Sequence, residues 1–280
     1  MGTIRDCLAS VRAQTHRAEH VVVDGGSHDG TADVLSEWAR EGLIVEAGTD
    51  QGIYDALNKG IERSTGEVVG TLNADDFYAR DSVLEWVATV FQDPDADACF
   101  GDLVYVREKP RAGANDVEGP KLVAYRLTSG GGRLLALRNE AVVRYWRSGP
   151  MSPRAFLRGW MPPHPTFFVR RRFFEELGKY RLDMGSAADY ELMLRFLVRH
   201  RLRSAYLPHV LVKMRCGGVS NRTLRARLRA HSFDRTAWTV NGMTPGVATT
   251  YLKPLRKLPQ WLRRPPEDTR EKTVCGERVF

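Results

Sequence analysis

The sequence has few cysteines, no long apolar run and almost no acid between Arg199 and Arg264, and each shortage bears on the class of protein. Its four cysteines in 280 residues (Cys7, Cys99, Cys216 and Cys275) lie far apart, with no Cys-x-x-Cys pair. That spacing excludes a zinc knuckle or a disulfide framework and fits reduced thiols in a cytoplasmic protein. No apolar stretch reaches the roughly 20 residues of a membrane-spanning helix, and no signal peptide opens the chain. No Gly-x-Gly-x-x-Gly follows the first strand, which argues against a nicotinamide dehydrogenase. Between Arg199 and Arg264, fifteen Lys and Arg face the single acid Asp234, so the net charge of +8 is concentrated there. Such a block suits an anionic partner or plain solvent. Its aromatics are too dispersed for a base-stacking platform, and no nucleic-acid partner is expected.

What the chain does have is alternation. Ile4, Leu8 and Val11 recur at helical spacing, and His20 to Val23 form an apolar strand ending at Asp24-Gly25-Gly26. Ser27 to Thr31 carry capping chemistry for a helix through Val34, Leu35 and Trp38. Strands are expected over 43–47, 67–72 and 98–106. Helices are expected over 53–63, with Ile53, Leu57, Gly60 and Ile61 on one stripe, and over 82–91. This pattern predicts an α/β fold with a doubly wound, mainly parallel sheet. Such sheets bind ligands at the carboxyl ends of their strands, where Asp24, Asp50, Asp75, Asp76 and Asp102 could converge.

Asn73-Ala74-Asp75-Asp76 is the sharpest local signal. Adjacent carboxylates repel, so they suit either water or a shared hard cation such as Mg²⁺ or Mn²⁺. The other reading is a polar strand-to-helix turn capped by Asp81 or Ser82. Regularity breaks at Arg107. Residues 108–140, with Gly130-Gly131-Gly132, read as a long irregular excursion. Trp160-Met161-Pro162-Pro163-His164-Pro165 excludes helix and reads as an extended wall. A strand over 166–169, helices over 171–177 and 187–200, and a strand over 205–214 follow. Asp189 falls in the first turn of the second of those helices, where the helix dipole stabilises a carboxylate.

Taken in order, these pieces resemble family 2 glycosyltransferases. Val21-Val22-Val23-Asp24-Gly25-Gly26-Ser27-His28-Asp29-Gly30-Thr31 is similar to the family's nucleotide-binding strand and turn. Asp50-Gln51-Gly52-Ile53-Tyr54-Asp55-Ala56-Leu57-Asn58-Lys59-Gly60 is similar to its second donor-site segment. Asn73-Ala74-Asp75-Asp76 resembles its Asp-x-Asp element, and Ala188-Asp189-Tyr190-Glu191 its late acidic motif. The match runs to about Gly218 and looks most like bacterial enzymes that build exopolysaccharide, capsule or lipopolysaccharide. The resemblance implies a GT-A fold, a nucleotide-sugar donor, Mn²⁺ or Mg²⁺, and a saccharide or lipid-linked saccharide acceptor. By position, Asp24 and Asp50 would line the nucleoside pocket, Asp75 and Asp76 would bind ribose and metal, and Asp189 would be the general base of an inverting transfer. His164 either contacts the acceptor or is a buried structural histidine, and Arg215 could reach the donor diphosphate as a fixed cation.

The family pattern also has departures here. Its members normally open with a further apolar strand and a Thr-x-Asn-type turn, whereas Met1 falls just before the first helix. The expectation is therefore an N-terminally truncated sheet, with a catalytically inactive relative that binds nucleotide or a partner protein as the alternative function. The expected domains are 1–218 for the transferase, with 108–140 as an insertion, 219–264 as a basic helical extension and 265–280 as a disordered tail. Cations interleaved with apolar residues over 252–264 suit an anionic membrane surface at the inner face of the cell membrane.

Overall fold

A computed structural model describes residues 2–108, 122–126, 132–137, 140–216, 224–245, 249, 259–263 and 265. The chain enters as α1 (Gly2–Arg12), whose apolar stripe buries Ile4 and Leu8. These pack on Val34 and Leu35 of α2 (Thr31–Ala39). Val22 of β1 (Val21–Asp24) and Val45 of β2 (Ile44–Ala47) close this small cluster, and the two strands pair in parallel. Helix α3 (Ile53–Arg63) buries Ile61 and packs Tyr54 and Leu57 on the main core. Ile53, expected on the same stripe, is instead 55% exposed.

The main sheet is built from β3 (Val68–Gly70), β4 (Phe77–Tyr78), β5 (Ala98–Glu108), β8 (Glu140–Trp146), β9 (Phe168–Arg170) and β10 (Ser204–Arg215). Its order is β3-β9-β5-β10-β4, with β8 also pairing β5. Within it, β5 and β10 run parallel, while β3–β9, β9–β5, β8–β5 and β4–β10 are antiparallel. The sheet is thus mixed, because the short returning strands β4, β8 and β9 oppose the long strand each pairs. Helix α4 (Val83–Phe91) covers it with Val83, Leu84 and Val87.

Residues 108–140, expected as an irregular excursion, contain ordered strands. β6 (Leu122–Arg126) and β7 (Arg133–Leu137) pair antiparallel. The runs Leu122-Val123-Ala124 and Leu134-Leu135-Ala136-Leu137 are buried beside Val104 and Tyr145. Burial of these apolar runs outweighs the glycine and charge around them. Lys213 of β10, fully buried, forms an ion pair with Glu140, which also accepts the Leu137 N–H at 3.0 Å.

The proline-rich wall follows α5 (Pro153–Leu157) and holds a single 3₁₀ turn at His164–Thr166. After α6 (Arg172–Glu176) comes α7 (Ala188–Met193), which widens to a π-helical turn over Leu194–Arg199. Helix α8 (Leu224–Val240) starts within the basic region but buries Ala237 and Trp238 in the main core. The short α9 (Pro259–Leu262) lies on β8, where Gln260 Oε1 accepts from Arg144 Nε at 2.7 Å and Arg144 sits over Trp261. The rest of segment 252–264, expected to meet an anionic membrane surface, apart from 259–263, and of the tail 265–280, apart from Pro265, lies outside the described residues.

Trp238 is 2% exposed and its indole N–H donates to the Tyr190 hydroxyl at 2.9 Å. Trp238→Ala is therefore expected to lower stability by about 3–5 kcal/mol in urea unfolding, the range for truncating a buried aromatic. A cost near zero would contradict the packing of α8 into the core.

Candidate active site

Strand β1 ends at Asp24, whose carboxylate accepts the Ser27 N–H at 3.2 Å and the Ser27 hydroxyl at 2.5 Å. Asp50 caps the approach to α3 by accepting the Gly52 N–H at 2.8 Å. The two acids are neighbours. A Cβ built on Gly25, next to Asp24, would stand 2.1 Å from Asp50 Oδ2, so the Asp50 carboxylate lies against the backbone just after Asp24. Both remain partly open to solvent.

Beyond β3 the chain turns through Asn73-Ala74-Asp75-Asp76. Asp76 is fully buried, while Asp75 is half-exposed. Asn73 folds the turn: its carbonyl accepts the Asp76 N–H at 3.0 Å, and its amide donates to Asp76 Oδ2 at 2.8 Å. Asp76 Oδ1 is buried with no hydrogen-bond partner among the described residues. Burial, reinforced by the neighbouring Asp75 charge, pushes the Asp76 carboxyl from 3.8 up to about 7. Arg215 holds the turn from below, donating to the Asp75 carbonyl at 2.8 Å and pairing with Asp6, which is fully buried on α1. Its guanidinium also lies over the Phe77 ring. Asp6 in turn accepts the Leu122 N–H at 2.8 Å. Arg215, expected at the donor diphosphate, is thus bonded to Asp6 and to the backbone of the acidic turn.

The orphaned Asp76 oxygen beside a second carboxylate suits a hard divalent cation, which takes oxygen ligands and completes its shell with water or substrate phosphate. No group of three or more His, Cys, Asp or Glu that could hold a metal occurs among the described residues, so Asp75 and Asp76 would supply the protein's share.

Asp189, half-exposed at the second position of α7, accepts the Tyr190 N–H at 2.7 Å. Burial, with the charge of Asp189 second, raises the pKa of the Tyr54 phenol on α3. Tyr54 and Tyr180 pack with ring centroids 5.5 Å apart, and the Tyr180 hydroxyl meets His164 Nε2 at 2.7 Å. Thr71, just past β3, lies 3.4 Å from the same nitrogen. Burial lowers the His164 pKa, partly opposed by the Asp189 charge, so the ring is held neutral. Asn58 secures Tyr180 by two backbone hydrogen bonds of 2.9 Å. The next acid, Glu191, is buried and accepts from Arg195 and from Asn241, each at 3.0 Å, while Arg195 also donates to the Gly178 and Lys179 carbonyls. The segment after β3 therefore carries Thr71 toward His164 and Asp189, and Asp75 and Asp76 four and five residues later.

Asp102 does not join them. It is 1% exposed within β5, which continues to Glu108. It accepts from the Ser148 N–H and the Tyr206 hydroxyl, each at 2.8 Å, and from the Tyr145 hydroxyl. The sequence reading missed Asp6, Thr71 and Tyr180, and passed over Tyr54 and Asn58 although they stand at i and i+4 in a segment already singled out.

Among the described residues no helix is long and apolar enough to cross a membrane. The family model for glycosyl transferase family 2 matches residues 2–178. A PGL/p-HBAD biosynthesis glycosyltransferase of Mycobacterium bovis is 31% identical over 223 residues, covering 77% of this chain and 73% of that protein. An uncharacterized glycosyltransferase of Nostoc sp. is 37% identical over 260 residues, covering 82% and 79%. Among solved structures, S. aureus TarS aligns with a TM-score of 0.57 at 15% identity, over 89% of this chain and 39% of TarS. The mannosyltransferase PcManGT of Pyrobaculum calidifontis, in complex with GDP-Man and Mn²⁺, aligns at 0.54 and 17%, over 91% and 65%. The fold is that of the GT-A class of α/β transferases. The chain belongs to glycosyltransferase family 2.

The raised Asp76 pKa has a testable sign. The unfolded carboxyl ionises near 3.8 and the folded one near 7. Between those values the folded state holds the extra proton, so stability falls as pH rises through the window and stays reduced above it. Without metal, Asp76→Asn is expected to melt above the parent at pH 8, with the gap closing toward pH 4. A pH-independent difference in Tm would contradict this.

Proposed function

We propose that this glycosyltransferase moves a sugar from a nucleotide-sugar donor to a saccharide or lipid-linked saccharide acceptor in cell-surface polysaccharide synthesis, inverting the anomeric centre. The observation that carries the proposal is the acidic turn: a buried, unpartnered Asp76 oxygen beside Asp75, after the strand that leads to the Asp189 cluster. Solved neighbours add support, since PcManGT was captured with GDP-Man and Mn²⁺, and TarS with UDP-GlcNAc.

In this reading Asp24 and Asp50 bind the nucleoside, and Asp75 reaches the ribose or joins Asp76 at the metal. A divalent cation there would stabilise the negative charge developing on the departing nucleoside diphosphate. Arg215 keeps the turn in place through Asp6 and the Asp75 carbonyl. Asp189 takes the proton from the acceptor hydroxyl as that oxygen attacks the anomeric carbon from the face opposite the diphosphate. One displacement of this kind breaks the sugar–phosphate bond and inverts the configuration. His164, neutral and bonded to Tyr180, shapes the acceptor side.

The test is a melting series with UDP, GDP and dTDP, each with and without Mn²⁺, for the parent and for Asp75→Ala/Asp76→Ala. One nucleotide is expected to stabilise the parent in a metal-dependent way and to have no effect on the variant. A cooperative melt unmoved by any nucleotide would favour a binding-only relative that serves a partner protein. Asp189→Asn is expected to keep the nucleotide-dependent shift while losing roughly 10²- to 10⁴-fold in kcat, the range for a positioned base. Unchanged turnover in that variant would remove Asp189 from the chemistry.

A further inference from the structure

Asp189 stands near the start of α7, which runs for six residues before it widens into the π-helical turn. A helix this short has little resistance of its own to rolling about its axis, so its facing is set by what its neighbours hold. The two residues after Asp189 are both held from α8. The Tyr190 hydroxyl accepts the Trp238 indole N–H at 2.9 Å, and Glu191 Oε1 accepts the Asn241 side-chain amide at 3.0 Å. Asn241 closes α8: its backbone N–H donates to the Trp238 carbonyl at 3.1 Å, and its side-chain amide also donates to the Ala237 carbonyl at 2.8 Å. None of these four residues is more than 3% exposed. Tyr190 in turn gives its backbone N–H to Asp189 Oδ1 at 2.7 Å. Hydrogen bonds therefore run from α8 through Tyr190 to the Asp189 carboxylate.

Successive residues of an α-helix point about 100° apart around its axis. With Tyr190 and Glu191 both bonded to α8, Asp189 points roughly 150° from their mean direction, away from α8, and it is the half-exposed residue of the three. We propose that Asn241 and Trp238 are positioning residues for the transfer: they set the roll of α7, and through it the direction in which Asp189 presents its carboxylate to the acceptor hydroxyl. This rests on the reading of Asp189 as the base. Helix α8 then belongs to the catalytic unit, beyond the expected domain boundary at residue 218. The same helix also closes on the approach to α7, where a Cβ on Gly185 would meet the Phe233 ring at 2.8 Å. Asn241 carries a further sign of this role. Its Oδ1 is buried with no partner among the described residues. An aliphatic side chain would fill that space without stranding a polar atom, so what the asparagine adds is its amide bond to Glu191. Small misplacements of reacting groups cost up to about 10²-fold in rate.

The experiment is a double-mutant cycle of Asn241→Leu and Asp189→Asn, measuring nucleoside diphosphate release from UDP-glucose, GDP-mannose and dTDP-glucose with Mn²⁺ and water as the acceptor. Glu191 keeps both bonds from Arg195 in Asn241→Leu, so the acid is not left stranded. That substitution is expected to lower kcat roughly 10- to 100-fold, with donor KM and the nucleotide-induced rise in Tm unchanged. In the Asp189→Asn background it is expected to change nothing further, since the group it positions is gone. Trp238→Phe, which keeps a ring and drops the N–H, should repeat the pattern. An unaltered kcat, an equal loss in both backgrounds, or a rise in donor KM at constant kcat would overturn the proposal alone. Full activity in Asp189→Asn would bring down the assignment of the base, and the proposal with it. A second readout needs no turnover and decides the matter where none of the three donors is cleaved. The Tyr190 amide hydrogen, held by the Asp189 carboxylate, is expected to exchange about tenfold faster in Asn241→Leu, with the Leu103 amide of β5 as the gauge of global unfolding. Equal Tyr190 exchange in parent and variant would overturn the proposal by itself.

Discussion

The ion pair between Arg215 and Asp6 is the constraint on which the acidic turn depends. Asp6 is fully buried on the first helix, Arg215 ends the long strand β10, and the guanidinium also holds the Asp75 carbonyl. Asp6 spends its second oxygen on the backbone of β6. One pair thus joins the first helix, the long strand β10, the strand β6 and the turn bearing both carboxylates. A buried pair of this kind is a weak source of net stability, yet removing one partner typically costs about 3–5 kcal/mol because the other charge is left stranded. Its value here is positional. The fixed cation beneath the turn partly offsets the burial that raises the Asp76 pKa.

A second buried acid plays the matching part on the other side. Glu191 binds Arg195 and Asn241, and Arg195 gathers the carbonyls of the loop that ends in Tyr180. Gly185, at φ +50, lets the Phe233 ring of α8 close on the approach to α7, since a Cβ there would meet the ring at 2.8 Å. Asp189 therefore stands on a helix pinned from three directions while its own side chain stays half-exposed. That combination, a rigid frame with a reachable carboxylate, is what positioned proton transfer requires.

Much of this was legible in the sequence because the signals were local. Apolar runs ending in Asp24 and ahead of Asp75-Asp76 announce strands whose ends carry acids, and helical spacing announces α2, α3, α4 and α7. What escaped depends on distance along the chain. Asp6 and Arg215 are separated by 209 residues, and Tyr180 and Asn58 by 122. Neither partner in either pair carries a mark of the other. The strands β6 and β7 were hidden by flanking glycines and charges that are irrelevant once Leu135 and Leu137 are buried. Asp102 was misplaced for a related reason. Asp102 lies inside the expected strand 98–106 and not at its end, and the partners that hold it there, Tyr145, Ser148 and Tyr206, come from elsewhere in the chain.

The measurement that bears most directly on the role of the acidic turn is an anomalous difference map from crystals holding Mn²⁺ and a bound nucleotide. The account predicts a single strong peak bonded to Asp76, alone or with Asp75, and to the nucleotide's phosphates, with Arg215 still paired to Asp6. A manganese ion held elsewhere, or a nucleotide bound away from this turn, would contradict it.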